Sequence, residues 1–141
     1  MERKYQYHLK AYMTKKELPK IKRRLDRLFS SVVLTAANRV CNMCGKTDGK
    51  KDCSHIIPRQ VLATRWNTDN ALCLCFRCHQ IVWHKDPVNA VRWLEKKVGK
   101  TYLDNLIAES KKDFQLDSTT IKEIETQLKE QYNSLNKEHE V

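Results

Sequence analysis

Glycine and proline are scarce in this chain of 141 residues, which contains three of each. Their scarcity leaves little room for a flexible linker, and the length allows one compact domain with appendages rather than two full domains. No apolar run approaches the ~20 residues that cross a bilayer, so we expect no membrane segment. The stretch from Met1 to His8 lacks the apolar core of a secretory leader, so we expect a cytoplasmic protein.

Acidic residues are in the minority, with 17 Asp and Glu against 27 Lys and Arg, for a net charge of +10. The excess is uneven, because residues 1–27 and 28–100 each carry +7 whereas residues 101–141 carry −4. A basic amino-terminal part suits a protein that lies on a polyanion such as nucleic acid. The alternative is a surface whose charge serves solubility alone.

Helical periodicity dominates the chain. Apolar residues recur at helical spacing from Glu17 to about Asn38, with basic residues on the opposite face, after a loose basic arm at residues 1–15. Further helices are predicted from Cys75 to about His84, from Pro87 to Lys97, from Tyr102 onward, and from about residue 118 nearly to the end. A strand is predicted to lead into Ile56, followed by a loop at 59–72. The apolar stripe of the last helix could pack on the domain or pair with a second copy in a homodimer.

Six cysteines without an export signal indicate thiols that are kept reduced for metal binding. Two Cys-x-x-Cys pairs, Cys41 with Cys44 and Cys75 with Cys78, have the spacing of a tetrahedral structural zinc site. Such a site contributes directly to the free energy of folding. We therefore predict that these four residues hold Zn²⁺.

The two remaining cysteines, Cys53 and Cys73, permit another partition, with two zinc ions in a binding module that has no catalytic activity. Its ligand sets would be Cys41, Cys44, Cys53 and His55, and Cys73, Cys75, Cys78 and His79. We favour the single site, because one residue between Cys73 and Cys75 is an awkward spacing for two ligands of one tetrahedral ion. Cys53 and Cys73 are then small buried hydrophobic residues.

Two histidines and an asparagine lie among the cysteines. Hydrolysis of a phosphodiester needs an activated water and a cation, and a neutral imidazole suits the role of base. We predict that His55 is the base and that Asn70 orients it or holds its loop. His79 follows Cys78 directly, so we predict that it binds a second, catalytic cation. Taken singly, each residue also has a plain structural reading, with Asn70 as a turn former.

These residues together resemble a known motif. Cys41-x-x-Cys44, Ser54-His55-Ile56-Ile57-Pro58-Arg59, Asn70 and Cys75-x-x-Cys78-His79 are similar to the HNH (ββα-metal) endonuclease motif with its zinc knuckles. The wider pattern of Thr64 to Asn70, Trp93-Leu94 and Gly99 resembles the phage NinG/Rap recombination-protein family, over roughly residues 17–110.

The resemblance implies an α+β fold, with a zinc-stapled ββα-metal core and flanking amino- and carboxyl-terminal helices. It also implies a DNA endonuclease of phage recombination that acts on branched DNA in the cytoplasm of a bacterial host. In the HNH family the first histidine of the motif, here His55, is the base. The family asparagine corresponds to Asn70, and the metal ligand after the last cysteine corresponds to His79.

One position departs from the family pattern. Many HNH enzymes carry a metal-binding Asp or His just before the base, and this chain has Ser54 there. Residues two apart in a strand share a face, so we predict that Asp52 joins His79 as a ligand of the catalytic cation. His84 is the alternative. A hard cation such as Mg²⁺ or Mn²⁺ retains several waters and tolerates so few protein ligands.

Basic residues flank the motif and could bind phosphates. The predicted DNA-binding residues are Arg59, Arg65 and Lys85. Their alternative role is in structural ion pairs, with Asp69 as the expected partner of Arg65. Trp66 and Trp83 are predicted to be core residues rather than base-stacking surfaces.

The predicted organisation has three parts: a basic arm and helical lead-in at 1–38, a zinc-bound nuclease core at 39–86, and a helical extension at 87–141. The predicted function is metal-dependent cleavage of DNA that leaves 3′-hydroxyl and 5′-phosphate ends. One alternative is a zinc module that only binds nucleic acid. Another is a nuclease-derived protein that has lost activity, with Ser54 as the trace of that loss.

Overall fold

A computed structural model describes residues 14–139, so most of the predicted basic arm lies outside the described residues. The elements in chain order are α1 (Glu17–Ala36), β1 (Lys51–His55), α2 (Leu62–Arg65), a 3-10 turn (Thr68–Asn70), β2 (Ala71–Cys75), a π-helical turn (Cys78–Trp83), α3 (Pro87–Val98), α4 (Lys100–Ser110) and α5 (Ser118–His139). Helices around a small two-stranded sheet agree with the predicted α+β class. No helix within 14–139 has the length and apolar character to cross a membrane.

Helix α1 is amphipathic, as its periodicity predicts. It buries Leu25, Phe29, Val32 and Val33, while the basic side chains on its other face are largely exposed to solvent. Two consecutive residues with positive φ, Asn38 and Arg39 at 52° and 55°, follow the helix. This left-handed turn connects α1 to the first cysteine pair, Cys41 and Cys44.

The strands β1 and β2 pair antiparallel, with Lys51 opposite Cys75 at one end and His55 opposite Ala71 at the other. The expected loop at 59–72 is therefore wrong in part, since it contains α2 and the first residues of β2. Four of the five residues of β2 are buried. A strand covered on both faces has no alternation of polar and apolar residues, so periodicity could not reveal it.

The predicted helices after the sheet are confirmed with small shifts of their ends. Residues 76–83 are helical, but the stretch Cys78–Trp83 is a π-helix rather than an α-helix. Helix α3 ends one residue later than predicted, and α4 begins at Lys100 instead of Tyr102. Gly99 separates α3 from α4 with a φ of 84°, a backbone conformation that glycine adopts without strain.

Two clusters of buried residues hold these elements together. The first joins α1, Trp66 and α5, where Leu128 is fully buried. The second joins β2, the cysteines and Leu94 of α3. The apolar stripe of α5 thus packs within the chain against α1, which is one of the two arrangements expected for it. The predicted lead-in and the predicted carboxyl-terminal extension therefore contact each other.

Candidate functional site

Four cysteine thiols meet at one point beside the sheet. The Sγ atoms of the two predicted pairs all lie within 4.8 Å of one another, and those of Cys44 and Cys75 are 3.7 Å apart. Thiolates around a tetrahedral zinc ion stand about 3.8 Å apart, so the set has suitable dimensions. Within the described residues no other group of three or more potential ligands comes together in this way. The quartet Cys41, Cys44, Cys75 and Cys78 is positioned to hold a metal ion.

The backbone around the first pair of cysteines favours thiolate. The Cys41 N–H donates to the Lys46 carbonyl, and Gly45, with a φ of 77°, closes the turn by donating to the Cys41 carbonyl. Burial raises the pKa of Cys41, but hydrogen bonds from the backbone N–H groups of Cys44 and Cys75 outweigh it and lower the pKa to about 6. The thiolate is the form that binds metal.

Cys53 and Cys73 remain outside the quartet. They face each other across the sheet as register partners, and Cys73 is fully buried. Burial raises the pKa of Cys53 to about 12, so its side chain is a neutral thiol. Neither ligand set of the two-zinc alternative is assembled among residues 14–139.

A cleft of about 460 Å³ lies beside the end of β1 and the π-helical turn. Three imidazoles line it, those of His55, His79 and His84, together with Arg59 and Ser54. The two histidines that the sequence predicts to act together are therefore in one cleft, and the alternative ligand His84 lies there as well.

His55 is held on two sides. Its ring stacks on Phe29 of α1, with the ring centroids 5.3 Å apart, and its Nε2–H donates to the carbonyl of Arg65 at 2.8 Å. This bond places the proton on Nε2 and leaves the lone pair on Nδ1. Burial lowers the pKa of His55 below its ordinary value of 6.5, although the bond to Arg65 opposes the shift. The imidazole is thus neutral at neutral pH, the state that a general base requires.

Asn70 holds the loop that follows His55 and does not contact the ring directly. It is fully buried; its Oδ1 accepts from the Ile57 N–H at 2.7 Å, and its Nδ2 donates to the carbonyls of Ile57 and Thr64 at 3.0 and 3.1 Å. Of the two roles considered for Asn70, the geometry favours that of a loop anchor. That loop supplies the Arg65 carbonyl, which accepts the hydrogen bond from the Nε2–H of His55.

The π-helical turn brings His79 and His84 together. The His84 N–H donates to the His79 carbonyl, the five-residue spacing that defines a π-helix, and the two Nε2 atoms lie 3.0 Å apart. Two nitrogens that bind one metal at right angles, each at about 2.1 Å, have this separation. The pair could therefore act as a chelate once His84 carries its proton on Nδ1.

Asp52 lies on the other side of His79. Its Oδ2 is 3.1 Å from the Nδ1 of His79, and Asp52 is not among the residues that line the cleft. The carboxylate of Asp52 accepts a hydrogen bond from the Nδ1–H of His79, which leaves the lone pair of His79 on Nε2, directed away from Asp52. Carboxylates commonly orient metal-binding histidines in this manner.

Ser54 contributes to the wall of the cleft, but its hydroxyl oxygen is not exposed to solvent. It is 1% exposed, lines the cleft, and its Oγ has no hydrogen-bond partner in the described part of the chain. A buried hydroxyl without a partner costs about 1–3 kcal/mol. The fit to a divalent cation rests instead on the donor set, because the Nε2 atoms of His79 and His84 stand at the separation of two ligands of one ion.

The three predicted DNA-binding residues differ in their surroundings. Arg59 and Lys85 are exposed, and Arg59 lines the cleft. Arg65 instead forms an ion pair with Asp26 of α1, with Nε and Nη2 at 3.0 and 2.7 Å from the two carboxylate oxygens. The expected pairing of Arg65 with Asp69 is wrong, because the fold brings a residue 39 positions away to the same place.

The two tryptophans have different surroundings. Trp66 is buried in the core with α1, as predicted, and its Nε1–H donates to Asp26. Trp83 is half-buried against the second core and also lines the cleft.

Comparison with protein-family models, with curated proteins and with solved structures finds no match to this chain. Any assignment of function therefore depends on the motif residues and on the geometry described above.

Sequence reasoning missed Asp26 and the π-helical turn. Asp26 is the only acidic residue between Lys20 and Lys46, and an isolated acid in a basic helix could have suggested a specific partner. The π-helical turn has no such signal, because its sequence is compatible with an ordinary helix.

Proposed function

We propose that the protein is a metal-dependent DNA endonuclease of the HNH type that hydrolyses phosphodiester bonds. Branched recombination DNA is the proposed substrate class, through the likeness of the motif to the NinG/Rap family. The observation that supports the proposal is one cleft that contains the His55 imidazole, with its proton on Nε2, and a pair of imidazoles, those of His79 and His84, next to the cysteine quartet.

The cysteine quartet is proposed to hold Zn²⁺ as a structural ion. Four thiolates close the coordination sphere, leaving no open position for a substrate. The ion would fix the backbone at Cys78 and so position His79, the next residue in the chain. This division of labour leaves the imidazoles free for a second cation.

His79 and His84 are proposed to hold the catalytic cation, with Asp52 orienting His79 from behind. This assignment modifies the prediction from sequence, in which Asp52 was itself a ligand. Of the two predicted cations, Mn²⁺ suits imidazole ligands better than Mg²⁺, which prefers oxygen. When bound, the cation would neutralise charge that develops on the phosphate.

His55 is proposed to take a proton from water through Nδ1. The water oxygen then bonds to phosphorus while the bond from phosphorus to the 3′ oxygen breaks. The 3′ oxygen leaves as a hydroxyl after receiving a proton from solvent, and the phosphate stays on the 5′ end. Exposed Arg59 and Lys85 beside the site, together with the net charge of +10, favour a polyanionic substrate.

The test is cleavage of branched, duplex and single-stranded DNA by the purified full chain with Mn²⁺ or Mg²⁺. We expect nicking that EDTA stops and that added Mn²⁺ restores, while the zinc content stays at one ion per chain. His55→Ala should lower the rate by about 10²–10⁴-fold, with zinc content and DNA affinity retained. The opposite outcome is a folded protein that binds two zinc ions and cleaves none of these DNAs. That outcome would support the alternative, a non-catalytic zinc module.

A further inference from the structure

Asp26 lies on α1, outside the motif that carries the proposed chemistry. Its carboxylate accepts three hydrogen bonds: from Arg65 Nη2 at 2.7 Å, from Arg65 Nε at 3.0 Å and from Trp66 Nε1 at 2.9 Å. Burial raises the pKa of Asp26, but the bonds and charge of Arg65 outweigh it and hold the pKa below its ordinary value. Asp26 is therefore an anion whose acceptor sites are directed at two consecutive residues.

Those two residues belong to the loop that fixes the proposed base. The carbonyl of Arg65 accepts the Nε2–H of His55, and the guanidinium of Arg65 also donates to the Arg59 carbonyl at 3.3 Å. The preceding carbonyl, that of Thr64, is held by Asn70. The peptide that faces His55 is thus anchored on one side by Asn70 and on the other by Asp26.

Helix α1 also contacts the imidazole itself. Phe29, which lies one turn beyond Asp26 on the same helix face, stacks on the His55 ring with an angle of 24° between the planes. Helix α1 therefore positions the ring in two ways. Phe29 packs on the face of the ring, and Asp26 holds Arg65, whose carbonyl accepts the hydrogen bond from Nε2–H.

Stability alone is a weak reason for this ion pair. The side chains of Arg65 and Asp26 are 13% and 24% exposed, so both charges have lost much of their hydration. The attraction between such partners commonly does no more than offset that loss. A bidentate fork does, however, fix the orientation of both partners.

We infer that Asp26 is a positioning residue for His55, and that it acts by holding the Arg65 peptide at the angle which keeps the His55 proton on Nε2. The inference rests on the proposed function, in which Nδ1 of His55 takes the proton from water. Misplacing a reacting group by about 1 Å can cost 10²-fold in rate. Loss of the anchor should therefore lower kcat while leaving DNA binding intact.

The experiment compares Asp26→Asn with a control on α5 that breaks a different ion pair of α1. Asn retains an acceptor for Trp66 but loses the charge and the bidentate pairing with Arg65. We expect kcat to fall about 10–100-fold with KM unchanged. The control is Glu125→Gln, which breaks the other ion pair of α1, that of Arg24 with Glu125 at 3.3 Å, and should leave kcat unchanged.

A second variant and a spectroscopic readout keep the inference testable if Asp26→Asn does not fold. Arg65→Lys retains the carbonyl but loses the bidentate pairing with Asp26, so it should lower kcat in the same way. Because both substitutions break the same interaction, kcat of a folded double variant should be no lower than that of the more impaired single variant. Imidazole nitrogen NMR should place the His55 proton on Nε2 in the wild type, with slow exchange, and show mixed tautomers with fast exchange in either variant.

Wild-type kcat and an unchanged Nε2 proton in the folded variants would overturn the inference. If the wild type cleaves no DNA, the proposed function fails, but the tautomer measurement still decides whether Asp26 positions His55.

Discussion

The cysteine quartet and the imidazole cleft are neighbours with opposite characters. Three of the four cysteines are buried, and their sulfur atoms stand at the distances of a closed tetrahedral site. His79 is half-buried and His84 is exposed, and the cleft they line is open to solvent. Both regions share the same short stretch of chain, because His79 directly follows Cys78.

The difference matches the two proposed roles, a structural metal site and a catalytic one. A structural metal needs a complete set of protein ligands, whereas a catalytic metal needs positions left for water and substrate. Residues that meet these two needs can be adjacent in sequence and still have different exposure and different ligand atoms. If the two regions are separable, a substitution in one should leave the metal of the other bound.

The largest expected effect comes from the quartet. Cys78→Ser removes one thiolate, and because structural zinc contributes about 10–16 kcal/mol of binding free energy, we expect loss of zinc and of cooperative thermal unfolding. Circular dichroism and zinc analysis measure both. Cys53→Ser is the matched control: it should keep one zinc per chain and a cooperative transition, and loss of zinc in this control would restore the two-zinc alternative.

A smaller effect is expected on the imidazole side. Asp52→Asn and His84→Ala should each weaken Mn²⁺ binding by about 10–100-fold, the former by misorienting His79 and the latter by removing a ligand. Calorimetric titration of the zinc-loaded protein measures this, and the zinc content and the melting temperature should not change. Unaltered Mn²⁺ affinity in both variants would contradict the assignment of the cleft as a cation site.

The pH dependence of cleavage should be weak near neutrality. Burial lowers the pKa of His55 below 6.5, so the neutral base predominates at pH 7 and kcat should fall only as the pH drops below 6.5. The unfolded chain binds this proton at higher pH than the folded one, so the contribution of His55 to stability is present above 6.5 and is lost as the pH falls through the folded pKa. Single-turnover rates with the zinc content checked at each pH give the profile, and a midpoint above 6.5 would exclude His55 as the titrating base.

The smallest effect distinguishes the two arginines. Arg59→Gln should weaken DNA binding uniformly and reduce the slope of log K against log salt by about 1, because its exposed guanidinium is free to contact phosphate. Arg65→Gln should leave that slope nearly unchanged, because its guanidinium is paired with Asp26. Equal slopes for both variants would mean that Arg65 leaves Asp26 and contacts phosphate when DNA binds.

Local patterns made part of this fold predictable from sequence. The spacing of Leu25, Phe29 and Val32 defined α1, and the two Cys-x-x-Cys pairs defined the quartet that the fold assembles. Both signals depend on residues close in sequence or on ligand chemistry that tolerates few alternatives.

The remainder depends on long-range packing. Nothing near Asp26 in the sequence points to Arg65, which lies 39 residues away. The pairing of His79 with His84 requires a π-helical turn, whereas an α-helix would place residues five apart on different faces. The role proposed for Asp52 differs from the predicted one for the same reason, because its distance to His79 depends on how that turn leaves β2.

The most direct test is a titration of the zinc-loaded protein with Mn²⁺, in which NMR records the paramagnetic broadening of each imidazole signal. The variants His79→Ala and His84→Ala assign the signals to their residues. The account predicts that His79 and His84 broaden first, that His55 follows as their neighbour in the cleft, and that one zinc ion per chain stays bound. Broadening of none of the three, or release of zinc before any imidazole responds, would contradict it.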